Sequence, residues 1–412
     1  MTKKDRLFIE DVQLRAFNLL KDLTNYNEDE KGYGLTLDHN EKPEVASIAA
    51  TGFMLSGYII AVQYGYMSKE EAIKVVTKTL ETLLYNIKHY KGFFPHFMNI
   101  HTAEMRKGTE FSTIDTALCI NGVIAVGSYF DDPKIKSLSN QLINRIDWNF
   151  FVHTHQGKKR FYMAYNPDKD GDYVSGHPGF IFQWHMLAEQ LMMYVIAGGT
   201  GNVDEELANE LYQGFERVKG SYQGHEYYYS PGNTLFIYQY PLCWFDLENV
   251  YDQDGICWFD NAKEATLGHR AWNLKNYKRY KTFAKETFGL TASSTPKGYG
   301  VFHCVPCQSG KVITDGTVAP NAMIGSLPFT PKESLKAMYY MKSLPNVWGK
   351  YGFIDAYNFE GETPWYSNRY ITIDKGLELL MCNAVLTKDV QKAYMNHPTI
   401  VKGMEILSWK RK

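Results

Sequence analysis

This 412-residue chain has no excess of charge of either sign. Forty-four lysines and arginines face 45 aspartates and glutamates, for a formal net charge of −1. That balance gives no electrostatic footing for nucleic acid or a membrane surface as a partner. No stretch approaches the ~18 uncharged apolar residues of a membrane span. The opening MTKKDRLFIEDVQLRAF brings in acidic residues early and has neither an apolar run nor a small-residue cleavage site. No signal peptide is therefore expected, and a cytoplasmic location is. Cysteine is sparse: six residues, at 119, 243, 257, 304, 307 and 382. Their scatter excludes a disulfide scaffold and suggests free thiols in a reducing compartment. No linker rich in Pro, Gly or Ser divides the chain, and no exact repeat is found, so a single domain over 1–412 is expected. P-loop, dinucleotide-fingerprint, GxSxG and HExxH motifs are all missing, and no cofactor is expected.

What the chain does have is apolar and aromatic surface. Hydrophobic residues make up 44% and aromatics 15%, with 30 Tyr and 8 Trp. Tyr and Trp pair an apolar face with a polar edge, which suits a sugar as well as a large core. Apolar residues recur at helical spacing over 4–24, 46–65, 69–89, 112–130, 133–150, 182–198 and 203–219. Later helical segments are expected near 234–248, 261–285, 331–343, 372–386 and 388–407, with 151–179 read as a long loop. Ser68-Lys-Glu-Glu71 is a capping box, and Pro133 takes a tolerated first-turn position. Strand-like alternation is confined to short runs such as 225–230 and 299–305. About twelve successive helices without βαβ alternation predict an all-α fold, an (α/α)6 barrel with small β-hairpins in its loops. The stretches 46–65, 112–130, 182–198 and 372–386 are apolar on every side and are the expected inner helices.

One carboxylate stands out. Glu189 lies within FQWHMLAEQLMMYVIAG, with His185, Met186, Met192 and Met193 as its helical neighbours. None of them neutralises a carboxylate at neutral pH, so burial should raise its pKa toward that of a general acid. The alternative is a structural Glu bonded to the backbone or to an Arg. Glu110 and Asp115 open a strongly apolar helix, where an acid is also favoured by the helix dipole. Asp246, Asp355 and Asp374 sit beside aromatics, Asp374 at another helix start. Paired carboxylates with aromatic platforms are what glycosidic cleavage requires, one to protonate the leaving oxygen and one to activate water. Cys304-Val-Pro-Cys307 is a weak metal or redox half-site, since no partner pair accompanies it. Asn166-Pro-Asp168-Lys-Asp170-Gly171 starts like a calcium loop but has His177 at the twelfth position, so it reads as a polar turn and no metal is assigned.

Taken in order, EVASIAATGFML (44–55), GFFPHFMN (92–99), EFSTIDTALCINGVI (110–124), AEQLMMYVIA (188–197), LFIYQYPLCWFD (235–246), NAKEAT (261–266), GLTASSTPKGYG (289–300), DGTVAPNAMIGSLPF (315–329), YGFIDAYN (351–358) and YITIDKG (370–376) resemble the glycoamylase-like family. That family includes bacterial endo-β-1,2-glucanases and a domain of cyclic β-1,2-glucan synthases. The resemblance implies an (α/α)6 barrel and an inverting glycoside hydrolase acting on β-1,2-glucan or sophorooligosaccharides. It implies Glu189 as the general acid, Asp374 or Asp355 as the base with Asp374 favoured, and Asp115 as a further acid of the site. Some members are thought to relay the proton through a substrate hydroxyl. Trp184, Trp244, Trp258, Trp365 and Tyr366 are the expected stacking platforms. Glu110, His96, Asp246, Tyr357 and Arg369 are the expected contacts to sugar hydroxyls. The chain departs from the family pattern in His-Met-Leu-Ala before Glu189, in Ile-Asp-Lys-Gly-Leu at 373–377, and in Pro-Leu-Cys before Trp244. Two rival readings are a glycan-binding barrel without catalysis and an epimerase or lyase on the same barrel.

Overall fold

The computed structural model describes residues 1–168 and 177–412. The described residues contain fourteen α-helices. They are α1 (Lys3–Asp22), α2 (Ile48–Gln63), α3 (Lys69–Glu81), α4 (Thr113–Tyr129), α5 (Pro133–Asn144), α6 (Leu191–Thr200) and α7 (Glu205–Gly214). The chain continues through α8 (Phe236–Gln239), α9 (Trp258–Asn276), α10 (Pro320–Ile324), α11 (Pro331–Ser343), α12 (Thr372–Leu386), α13 (Asp389–Met395) and α14 (Pro398–Ile406). The fold is mostly helical, with short antiparallel hairpins between helices. No helix among the described residues is long and apolar enough to cross a membrane.

Local chemistry sets the helix starts. Thr2 with Asp5 and Ser68 with Glu71 close reciprocal capping boxes on α1 and α3. Ser47 and Ser112 cap α2 and α4, and Asp132 caps α5 with Pro133 at its first position. From α2 to α12 the even-numbered helices are the buried ones. In α2 every residue from Ile48 to Ala61 is buried, and in α12 nearly every residue from Thr372 to Ala384 is. α2 packs on α4 and α12, α4 on α6, and α10 on α12. Odd-numbered helices flank them: α1 lies on α12, α5 on α4, α7 on α6, α9 on α8 and α11 on α10.

α2 and α4 touch through glycine on both sides. A Cβ on Gly122 would stand 2.2 Å from the Gly52 carbonyl oxygen, and one on Gly52 would stand 2.4 Å from that of Leu118. No side chain fits there, so glycine is required at both positions.

Four expectations need correction. The stretch 182–198 is not one helix: Phe180–Gln183 is a strand paired with Lys158–Tyr165, and α6 begins only at Leu191. The Gln190 side chain holds the intervening turn, accepting from the Ala188 amide at 2.7 Å and donating to the Met186 carbonyl at 2.9 Å. The loop at 151–179 contains a hairpin, Val152–His155 with Lys158–Tyr165, turned at Gln156-Gly157 with both residues at positive φ. The helix expected over 388–407 is divided, because Pro398 starts α14 under a His397 cap. The segment 234–248 holds only the short α8 and a 3-10 turn beginning at Pro241. Part of the calcium-like loop, 169–176, lies outside the described residues.

Gly122→Ala should destabilise the fold by about 3 kcal/mol, the upper end of overpacking costs, because backbone faces the new methyl group. Urea unfolding would measure it, and a loss below about 0.5 kcal/mol, the size of an ordinary surface change, would mean that the helices part easily.

Candidate active site

The inner helices start at one common end, and a cavity of about 470 Å³ opens there. That size suits a small ligand. Asp38, His39 and Lys42 enter it from the segment before α2, and Ile114 and Asp115 from the first turn of α4. Glu189 enters from the turn before α6, and Phe236 and Tyr240 from around α8. Tyr299 comes from the hairpin Ala292–Thr295/Gly298–Val301, and Arg369, Ile371 and Ile373 come from the start of α12.

Glu189 therefore keeps its place in the wall, although it precedes its helix instead of sitting within it. Protein surrounds it on nearly every side, yet its side chain still borders the cavity. Burial raises its pKa to about 7, with the Asp115 charge adding to the rise and its own backbone amide opposing it. A carboxyl group that holds its proton near neutrality can act as a general acid.

His96 sits between carboxylates. Its Nδ1 is 2.8 Å from Glu110 Oε1, and its Nε2 is 3.5 Å from Asp115 Oδ1. Burial opposes charge on this ring, but Asp115, Glu110 and Asp38 together outweigh it and lift the pKa to about 9. His96 is thus an imidazolium at neutral pH, and its hydrogen bond helps hold Glu110 below the usual carboxylate range. Asp115 is fixed from the other side by Ser112, whose Oγ donates to it at 2.6 Å. Burial raises Asp38, against the pull of His39 and His96.

Asp355 and Asp374 lie together just behind the cavity wall, 4% and 6% exposed. Burial raises both, and the charge of Asp355 pushes Asp374 further up. Such a pair holds one proton between its members. Asp355 accepts the Ser294 amide at 2.8 Å, which favours its ionised form. Tyr240 donates to Asp374 Oδ1 at 3.5 Å. Burial, then the charge of Asp374, raises the phenol of Tyr240, and the charges of Asp374, Asp355, Asp38 and Glu189 bear on that of the more exposed Tyr299. Both tyrosines line the cavity with Glu189.

The structure brings together Glu189, Asp115, His96 and Arg369 on the cavity, with Glu110 in its adjoining arm and Asp355 and Asp374 behind. It does not bring the tryptophans there. Trp184, Trp244 and Trp258 are buried, and their indole N–H groups donate to Thr113, Ser56 and Tyr212 at 3.0, 2.9 and 2.9 Å. Those bonds make them core residues, closed to a sugar. Tyr357 is fully buried, and Trp365 and Tyr366 pair with its strand away from the cavity. Asp246 lines a separate cavity and is bound by Lys388 at 3.0 Å and Arg411 at 3.4 Å. Sequence reasoning missed Asp38, Tyr240 and Tyr299. Tyr299 is 58% exposed and flanks the acids, so it offers the open aromatic face assigned to tryptophan. No group of three His, Cys, Asp or Glu among the described residues could hold a metal, and Cys304 and Cys307 are buried free thiols.

The Glycoamylase family model, which describes its members provisionally as glucoamylases, matches residues 181–398, more than half of the chain. The chain belongs to this family. An exo-β-1,2-glucooligosaccharide sophorohydrolase (non-reducing end) of Parabacteroides distasonis is 22% identical over 394 residues, covering 88% of this chain and 53% of that protein. The chain thus spans about half the length of the curated relative it matches. Among solved structures, a protein of Bacteroides fragilis provisionally named a glucoamylase superposes with a TM-score of 0.85 at 26% identity, over 100% of this chain and 98% of that one. An endo-β-1,2-glucanase of Chitinophaga pinensis, solved with sophorotriose and glucose, superposes with a TM-score of 0.84 at 22% identity, over 98% of each chain.

The His96 ring should titrate near pH 9 by NMR. Its folded-state pKa lies above the ordinary 6.5, so its stabilisation is complete below about 6.5 and lost as pH rises toward 9. The stability gap between the wild type and His96→Asn should close over that window. A gap that is constant with pH would mean that the ring is neutral.

Proposed function

We propose that the chain is a glycoside hydrolase that cleaves β-1,2-glucan or sophorooligosaccharides with inversion, Glu189 being the proton donor and the Asp355–Asp374 pair the base. One observation carries the reading: an acid with pKa about 7 borders a cavity, and a buried carboxylate pair lies behind Tyr240, another residue of its lining. Inversion needs donor and base about 6.5–9.5 Å apart, with water between them. The linkage is inferred from the names of the sophorohydrolase and endoglucanase relatives. The pair carries one negative charge and takes up the proton of the attacking water. Asp374, the member that Tyr240 links to the cavity, and Asp355 act together as one base. Asp115, Glu110, His96 and Arg369 hold sugar hydroxyls and tune the donor, and Tyr299 stacks on a sugar face.

We extend the proposal to architecture and setting. The alternation of flanking and buried helices, α1–α2 through α11–α12, fits six hairpins closed into one toroidal domain. Six buried free cysteines fit a reducing compartment, in which a cytoplasmic enzyme would trim imported oligosaccharides.

Purified protein incubated with linear β-1,2-glucan and with β-1,3- and β-1,4-linked controls should release new reducing ends from the first substrate alone. Glu189→Gln should lower kcat by about 10²–10⁴-fold, the usual worth of a general acid. The donor works protonated, so wild-type kcat should fall as pH rises through about 7. A near-normal rate in the Glu189→Gln variant would point to epimerase or lyase chemistry, and glycan binding without new ends would point to a binding protein. Tyr299→Ala should raise KM by about three- to tenfold, the value of one aromatic contact, with kcat less affected. An unchanged KM would remove Tyr299 from the substrate site.

A further inference from the structure

We propose that the buried Lys375–Glu378 ion pair is a positioning device that holds the loop carrying Asp355 against the helix carrying Asp374. Both side chains are 2% exposed and lie 2.7 Å apart, one turn along α12. Lys375 directly follows Asp374 in the chain, and its Nζ also donates to the Phe353 carbonyl, two residues before Asp355. One ammonium group therefore links the two elements that supply the carboxylate pair. Glu378 completes the arrangement by neutralising the cation where no water can.

A buried ion pair is a poor source of stability. Desolvation often cancels its attraction, and well-packed apolar residues of similar volume commonly serve the fold as well or better. The groups facing this pair explain its presence instead. The charge of Asp355 acts on Glu378 and that of Glu378 on Asp374, the Tyr370 ring stands 5.8 Å from Lys375 Nζ, and Cys382 lies one turn beyond Glu378, its thiol kept neutral by burial. Lys375 is the side chain of α12 that bonds the Phe353 carbonyl. Without that cation the loop would relax away from Asp374 and the two carboxylates would uncouple.

This inference rests on the proposed hydrolase, so its test has one arm that needs no catalysis. The variant is Lys375→Met with Glu378→Leu, which leaves neither member of the ion pair behind. Its melting temperature should match or exceed that of the wild type. On β-1,2-linked oligosaccharide, kcat should fall about 10- to 100-fold, the effect of misplacing a reacting group by up to ~1 Å, with KM within about threefold. In the catalysis-free arm, carboxyl-carbon NMR should show the upper titration of the Asp355–Asp374 pair moving down by about one pH unit or more as coupling weakens. Lys375→Gln with Glu378→Gln keeps a neutral donor for the Phe353 carbonyl and should recover at least half of the wild-type rate. Unchanged kcat and unchanged carboxyl titration in the apolar variant would overturn the proposal, as would failure of the Gln pair to exceed it. If the wild type cleaves no β-glucan, the hydrolase reading fails, and the carboxyl titration still decides for or against the clamp.

Discussion

Too many carboxyl groups share one small volume for all of them to be ionised. Asp38, Asp115, Glu189, Asp355 and Asp374 lie on or just behind the cavity, with Glu110 and Glu378 next to them. Two like charges ~4 Å apart repel by ~4 kcal/mol at an effective dielectric of about 20. The chain relieves this repulsion differently at each wall. His96 stays cationic beside Asp115 and Glu110. Lys375 pairs with Glu378, whose pKa burial still raises to about 7. Asp355 and Asp374 share a proton, and Glu189, whose charged neighbour is the Asp115 carboxylate, keeps its own toward neutrality. Division of labour among chemically similar side chains follows from where the few cations stand.

The fold makes that crowding possible. Inner helices begin at the same end, so Asp115 and Asp374 both occupy first turns, where the helix dipole favours an anion. That contribution works against desolvation at the same sites. The glycine contact between α2 and α4 bears on this directly, since it sets how near the Asp115 wall stands to the segment that brings Asp38 and His39. A single methyl group inserted between those helices, below the cavity, would therefore be felt as a change in charge spacing above it.

Helices α2, α4 and α12 are legible in the sequence because they are apolar on every side, and α12 starts and ends at the residues expected from its pattern, whereas the short α8 and α10 carry no such signal. Glu189 is legible for the same reason, as a lone acid in an apolar stretch, although periodicity cannot reveal that Gln190 ends the turn before the helix starts. The aromatic platforms escape such reasoning because indole is both a sugar-stacking surface and a large core filler. Only the partners Ser56, Thr113 and Tyr212 distinguish the two uses, and they come from distant parts of the chain. Asp38 lies in an irregular segment with no period to mark it, and Tyr299 lies in a short hairpin strand whose alternation says nothing of a site; tertiary packing alone carries both to the acids. The aspartate pair shows the same limit: 355 and 374 are nineteen positions apart in the sequence, and their coupling exists only in three dimensions.

The two walls also differ in how readily they exchange protons. Glu189 borders the cavity directly, so its proton can pass to a ligand or water there. The aspartate pair lies deeper and meets the cavity through Tyr240, whose phenol burial holds well above its ordinary pKa, while Tyr299 stands nearer the solvent. Tyr240 therefore cannot act as a standing base, although its hydroxyl can orient Asp374 by donation. In the proposed hydrolase, a hydroxyl of water or of a sugar lying in the cavity would carry the proton toward the pair.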